Sequence, residues 1–270
     1  MNTIEVKDLT SEALMPYVGL NEKQLKRFHE PEAGLFICES EKVIRRAIDA
    51  GYEVESFFVQ DDKVDLAAEL SKGDLPAYHA PDSVMEDVTG YTFTGGILAA
   101  MRRRPLPDPA LLIRNRSKIV ILDDIENPTN IGAIFRSACA LGAEAVLLTH
   151  GCADPLYRRA ARVSMGTVFQ VDWTYMDKEF LSELKSEGFV TMALSLSDDA
   201  VDLSEITGAQ DKRAVILGNE DHGISPEILS KCDKKVMIPM ENGVDSLNVA
   251  AASAVAFYAV FHETNGRGIS

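Results

Sequence analysis

The chain has 270 residues, 46% of them hydrophobic, and a formal net charge of -15 at pH 7. That length holds one large domain or two ordinary ones, and the acidic balance excludes a protein that coats nucleic acid indiscriminately by neutralising phosphates. The start, MNTIEVKDLT, is polar rather than a basic and apolar leader, and no apolar run approaches the roughly 20 residues that span a bilayer, so a soluble cytoplasmic protein without a membrane partner is expected.

Taken in chain order, GLFICES, VESFFVQ and LPAYH read as short strands, and EKVIRRAIDAG and VDLAAELSKG as helices ending at glycine. They make a small α/β domain over residues 1–104. Residues 101–118, MRRRPLPDPALLIRNRSK, gather three prolines and six basic residues, which places a linker at 105–117. Beyond it come KIVILDD, AVLLT, VFQVD, FVTMALSL, RAVILGN and KVMIPM, most of them too apolar for strands with one solvated face. Helical patterns lie between several of them, in NIGAIFRSACALG, DKEFLSELKSEG and SPEILSKC. The alternation predicts an α/β domain over 118–270 with a mainly parallel sheet and helices on both faces. The closing SLNVAAASAVAFYAVFHE is rich in small residues and is expected to pack tightly on a neighbour.

Cys38, Cys139, Cys152 and Cys232 form no CxxC pair, and the five histidines show no HxxxH or HxxEH spacing. The thiols are read as buried and reduced, and no metal site is expected. Residues 102–170 hold ten Lys and Arg against six Asp and Glu, a basic stretch inside an acidic chain where a polyanion can dock.

Ligands of open parallel sheets gather outside the carboxyl ends of the strands, so the loops after KIVILDD, RAVILGN and KVMIPM carry the chemistry. In the first, Thr129 or Asn130 is a helix cap by residue type. Gly132 and Arg136, four apart, share a face on which the glycine leaves room beside the arginine stem. In the second, LGNEDHGIS, Gly218 and Gly223 permit tight turns around a flat ligand and Glu220 can accept hydrogen bonds. His222 beside Asp221 is a general base by type, although a lone loop histidine is more often solvated. No Gly-Lys-Ser/Thr follows to make a P-loop, and no GxGxxG follows a strand. RVSMG lacks the first glycine of a nucleophile elbow around Ser164. In the third, IPMENGVDSLNVAAA, Pro239 and Gly243 shape the turn, and Ser246 and Asn248 stand at the helix entrance, where capping explains either one.

Together the three segments resemble the three motifs of the SpoU/TrmH family of RNA ribose 2'-O-methyltransferases, within the SPOUT superfamily. NPTNIGAIFRSACALG is similar to motif one through Asn130, Gly132 and Arg136, LGNEDHGIS to motif two through Gly218, Glu220 and Gly223, and IPMENGVDSLNVA to motif three. One departure is visible: many relatives carry the motif-three glycine where this chain has Asn242, with Gly243 following. The likeness covers about residues 117–265, and the first hundred residues resemble more loosely the family's N-terminal RNA-binding domain.

The resemblance implies a C-terminal trefoil knot, a homodimer, and S-adenosylmethionine held in a bent shape. The cofactor contacts it implies are Leu217, Gly218, Asn219, Glu220 and Gly223 from motif two, with Ile238, Met240, Ser246, Leu247 and Asn248 from motif three. It assigns removal of the hydroxyl proton to Arg136; because a guanidinium stays protonated, the role favoured here is to stabilise the developing alkoxide or an RNA phosphate that takes the proton, with Asn130, Glu220, Ser246 and Asn248 orienting the reacting groups. The substrate is rRNA or tRNA. Arg102, Arg103 and Arg104, with Arg158, Arg159 and Arg162, form the candidate RNA-phosphate track, alongside Arg114 and Arg116. Two rivals differ in class: a noncatalytic RNA-binding or cofactor-sensing protein of the same fold, and a nucleotide-binding dehydrogenase, which the absent glycine fingerprint disfavours.

Overall fold

The structure is a computed structural model, and it describes residues 1–7, 9–29, 34–89, 95–197, 199–206 and 211–261. They group into two compact units, Met1–Pro105 with Leu156–Gln170, and Leu106–Pro155 with the residues from Val171 onward.

The first unit is built on five strands, β1 (Asn2–Glu5), β2 (Leu35–Glu39), β3 (Val54–Gln60), β4 (Pro76–Ala80) and β5 (Ile97–Arg102), in the order β1-β4-β3-β5-β2. β5 runs antiparallel to β2 and β3, and the other pairs are parallel. The three expected strands are β2, β3 and β4. β1 left no signal because all four of its residues are exposed at the sheet edge. β5, Ile-Leu-Ala-Ala-Met-Arg, is rich in helix formers, and burial of Ile97–Met101 between two strands overrides that propensity. Leu35, Phe58, Met85 and Leu98 share the core on one side of this sheet.

Residues 156–170 belong with this unit, not with the C-terminal domain where the sequence places them. The reason is a set of specific bonds. Glu39, 5% exposed, receives Arg158 at 2.9 Å and Arg162 at 3.3 Å. The Arg158 backbone N–H donates to the Glu22 carboxylate at 2.7 Å, and Arg46 donates to the Met165 carbonyl at 2.8 Å. Phe169 packs its ring against Phe36 and Tyr52. VFQVD, expected as a strand, therefore begins in a 3-10 turn over Thr167–Phe169, and the strand starts only at Asp172. Its apolar residues mark burial against other aromatic rings.

The second unit carries β6 (Lys118–Asp123), β7 (Ala145–Leu148), β8 (Asp172–Tyr175), β9 (Val190–Leu194), β10 (Val201–Asp202), β11 (Arg213–Gly218) and β12 (Lys234–Met237), ordered β10-β12-β9-β11-β6-β7-β8. Every pair is parallel. Ile119, Ile121, Leu147 and Ile216 share a core with Leu181, Leu184 and Ile228 of the helices Leu181–Ser186 and Pro226–Lys231. The alternate residues Val120, Leu122, Val146 and Val215 are just as buried and face the opposite side. The small-residue helix Val249–Phe261 packs against the helix Pro128–Ala140 and against β11, while residues 262–263 of its expected span lie outside the described residues. The expected linker is partly structured: Asp108 caps a helix over Pro109–Ile113, which sinks Leu112 and Ile113 into the same core. Among the described residues no helix is long and apolar enough to cross a membrane.

Candidate active site

Parallel strands send all their following loops to one sheet edge, and the three sequence-singled loops meet there. In the first, the cap is Asn127, whose side chain accepts from the Thr129 N–H at 2.8 Å. The sequence expectation of Thr129 or Asn130 is corrected by Pro128: proline takes the first helical position and keeps the residue before it extended, which is the cap conformation. Asn130 is thereby free for other work. Its side-chain N–H donates to the Glu220 carboxylate, and its oxygen accepts from Asn248 Nδ2 at 3.4 Å, with Asn130 only 7% exposed.

The second loop is a tight hairpin. Asn219 and Gly223 exchange both backbone hydrogen bonds, at 3.0 and 2.9 Å. Asn219 Oδ1 accepts from the Asp221 and His222 N–H groups, and its Nδ2 donates to the Asp124 carbonyl at 2.7 Å. Gly223 turns at φ +70°, in the left-handed region that favours glycine. Gly218 is required by space: a Cβ there would stand 2.3 Å from both the Gly223 carbonyl carbon and the Ile224 nitrogen.

In the third loop Asn242 and Gly243 are both left-handed, at φ +59° and +72°. Asparagine tolerates that conformation better than most residues, so Asn242 can hold the turn position that the family resemblance gives to glycine. Asn248 caps the final helix by accepting from the Ala250 N–H at 2.9 Å while its amide reaches Asn130. Capping and site duty therefore coexist in one side chain. Ser246 is exposed beside it.

A cavity of about 590 Å³ opens between the second and third loops. From motif two it is lined by Leu217, Gly218, Asn219, Glu220 and Gly223, and from motif three by Ile238, Met240, Ser246, Leu247 and Asn248. Sequence reading missed Leu194–Ser197, which line the same cavity at the end of β9. Their one available signal was position, since β9 lies between β11 and β12. Asp221 and His222 reach the rim. Arg136 is exposed on its helix, outside the cavity lining, with buried Gly132 one turn before it.

Beneath the first loop, buried Asp123 accepts from the Ser225 N–H at 2.7 Å and pairs with Lys178 at 3.2 Å. Lys178 also donates to Asp124 at 3.0 Å. Burial acts to raise the Asp124 carboxyl, but hydrogen bonds from Lys178 and Thr149 outweigh it and hold it below its ordinary value. All four cysteines are free; Cys38 and Cys152 are buried, whereas Cys139 and Cys232 are half-buried. Burial pushes the Cys152 thiol up to about 11, so it stays neutral. Among the described residues no group of three or more His, Cys, Asp or Glu side chains is arranged to hold a metal ion.

The six candidate RNA-track arginines fall in the first unit although they come from two distant stretches. Arg102 pairs with Glu55 at 2.8 Å, and Arg158 and Arg162 share Glu39. Arg103 donates to the Leu35 carbonyl, while Arg104 donates to the Ala50 carbonyl and lies 3.9 Å over the Tyr52 ring. Arg159 is exposed. Of the other two basic residues, Arg116 pairs with Asp172 in the second unit.

Residues 117–258 match the SpoU rRNA Methylase family. An uncharacterized tRNA/rRNA methyltransferase of Mycobacterium bovis is 36% identical over 83% of this chain and 80% of its own length. A 23S rRNA (guanosine(2553)-2'-O)-methyltransferase of Bacillus subtilis is 27% identical over 87% of this chain and 94% of its own. In fold the chain is similar to an AdoMet-bound rRNA methyltransferase from Sinorhizobium meliloti, with a TM-score of 0.81, 23% identity, and coverage of 95% of this chain and 97% of that one. With both the sequence match and the clustered motif residues in hand, the chain is placed as a member of the SpoU rRNA methylase family.

Proposed function

We propose that the chain transfers the methyl group of S-adenosylmethionine to a ribose 2'-hydroxyl of rRNA or tRNA. The observation that carries this is the meeting of three separated motifs through one hydrogen-bonded trio, Asn130, Glu220 and Asn248, beside a cavity of about 590 Å³. That volume is in the range of cofactor pockets, roughly 300–1,000 Å³. Its lining suits an adenosyl group: apolar Leu217, Ile238 and Leu247 for a flat ring, and glycine-opened backbone at Gly218 for close approach.

S-adenosylmethionine, when bound, supplies a methyl group already activated by a sulfonium. The protein's task is alignment, for which orientation alone can contribute roughly 7 to 11 kcal/mol. The Asn130, Glu220 and Asn248 trio fixes the entrance of both helices, and Arg136 follows on one of them. A guanidinium donates and carries positive charge but accepts no proton, so it stabilises the developing alkoxide or an RNA phosphate that takes the proton.

Three further features belong to this reading. The final helix presents Val255 and Tyr258 at 43% and 57% exposure, and the third loop exposes Val244 and Leu247, apolar surface suited to a homodimer. The first unit serves as the RNA-binding part, with its arginines as phosphate contacts. The trefoil knot runs through the C-terminal motifs, and the protein works in the cytoplasm.

The test is methylation of total bacterial RNA with labelled S-adenosylmethionine, followed by mapping of ribose methylation in cells with and without the protein. Arg136→Ala is expected to lower the rate at least about a hundredfold, the size of a lost oxyanion-type contact, with cofactor affinity by calorimetry unchanged. Cofactor binding with no methylation of any RNA would favour the noncatalytic rival, and stabilisation by NAD alone would favour the dehydrogenase.

A further inference from the structure

Away from the cavity, four aromatic rings form a continuous ladder in the second unit. Phe135, the neighbour of Arg136, meets Trp173 edge-on at 6.4 Å, and Trp173 meets Tyr175 edge-on at 5.9 Å. Tyr175 then stacks on His150 at 5.3 Å with the rings 17° apart. Phe135 and Trp173 are buried and Tyr175 is half-buried, yet the His150 side chain is 68% exposed. One imidazole face lies on Tyr175, and Asp177 approaches the ring edge at Nε2, 3.4 Å away. The outer face is the part left to solvent.

The position of this face matters. His150 follows β7, and Tyr175 ends β8, the strand next to it. β7 is in turn next to β6, whose following loop leads into the helix that carries Asn130. With strands about 4.8 Å apart, the stacked pair stands at the same sheet edge as the three motifs, one to two strands from the first and two to three from the second. Thr149, the residue before His150, is hydrogen-bonded to Asp124 of the first loop at 2.9 Å. A rigid link therefore joins the exposed ring to the reaction loop.

The surrounding charge selects the ligand. Lys178, the nearby cation, is engaged by Asp123 and Asp124, and Asp177 and Glu179 add negative charge. Such a surface repels phosphate but leaves a flat π-face, the feature on which unstacked RNA bases are held. Resting on the methyltransferase reading above, we propose that His150, backed by Tyr175 and Trp173, is a stacking platform for an unpaired base next to the nucleotide being methylated. It holds the strand while Arg136 and the trio hold the ribose.

The experiment uses the full chain, total bacterial RNA and labelled S-adenosylmethionine, with His150→Ala and His150→Trp compared. Both replace an exposed ring, so both fold. Base stacking on an aromatic ring predicts that His150→Ala raises the RNA concentration for half-maximal methylation, and the RNA dissociation constant by filter binding, about 5- to 150-fold, while His150→Trp stays within about threefold of the parent. Cofactor affinity by calorimetry stays unchanged in both. An alanine variant that binds and methylates like the parent, or alanine and tryptophan variants equally impaired, overturns the platform. A parent protein that binds RNA without methylating it overturns the proposed reaction, and the filter-binding comparison still decides the platform; a parent that binds no RNA overturns both.

Discussion

The Asn130 side-chain amide donates to the Glu220 carboxylate across 90 positions of sequence, joining motif one to motif two in a partly buried contact. A carboxylate can only accept, so the amide N–H faces it and the amide oxygen is left for Asn248. Asn130→Asp replaces the donor with a second anion. The expected loss is about 2 kcal/mol, the usual worth of a hydrogen bond to a charged group, or roughly a thirtyfold fall in single-turnover methylation at pH 7. Glu220→Gln in the same background should restore part of it, and a double variant no better than Asn130→Asp alone would show that like-charge repulsion is not the cause.

Gly218 has backbone against backbone where a side chain would stand. Neither the Gly223 carbonyl nor the Ile224 nitrogen can swing aside as a flexible side chain would. Gly218→Ala should cost about 2 kcal/mol as overpacking, lower the melting temperature by roughly 4 to 8 °C, and weaken S-adenosylmethionine binding because the hairpin lines the cavity. A variant with parental melting and cofactor affinity would show that the hairpin relaxes freely.

The Asp124 and Lys178 pair sets a pH dependence. Asp124 is held below its ordinary value in the folded protein, so its stabilisation is fully present above the unfolded value, near 3.9, and is lost as pH falls through the lower folded one. Burial opposes the Lys178 charge, but its hydrogen bond to Asp124 and its two carboxylate neighbours raise it overall. Its stabilisation is present below the unfolded value, near 10.4, and is lost as pH rises through the folded one. Lys178→Met should bring the Asp124 titration upward, measured by carboxyl carbon NMR, and move acid unfolding to higher pH. An unmoved titration would assign the Asp124 shift to the hydrogen bonds from Thr149 and Gly151.

Glu39 is a nearly buried carboxylate answered by Arg158 and Arg162. Removing Glu39 takes a charge-assisted hydrogen bond from partly exposed arginines, at a cost of about 2 kcal/mol. Glu39→Ala is therefore expected to reduce urea stability by about that amount, with Glu39→Gln retaining more because its carbonyl still accepts. Equal, small losses in both would indicate that Arg158 finds another acceptor.

Much of this architecture is legible from residue order because parallel strands buried on both faces leave dense apolar runs, as in β6 and β11. The three loops are legible for a different reason: Gly218, Gly223 and Asn248 are demanded by backbone space, φ and helix capping at fixed positions. What sequence did not disclose is long-range. No periodicity separates a VFQ run buried against Phe36 and Tyr52 from one buried in a sheet, and no local rule foresees β5, whose strand state exists only between β2 and β3. Asn127 was locally readable, since the proline after it marks it as the cap.

Residues 156–170 have a practical consequence for anyone recombining this protein with a relative. The chain leaves its first unit, returns to it and leaves again, so a chimera joined only at residue 105 would inherit Glu39 from one parent and Arg158 from the other. A graft that keeps such co-adapted partners together must exchange two stretches at once.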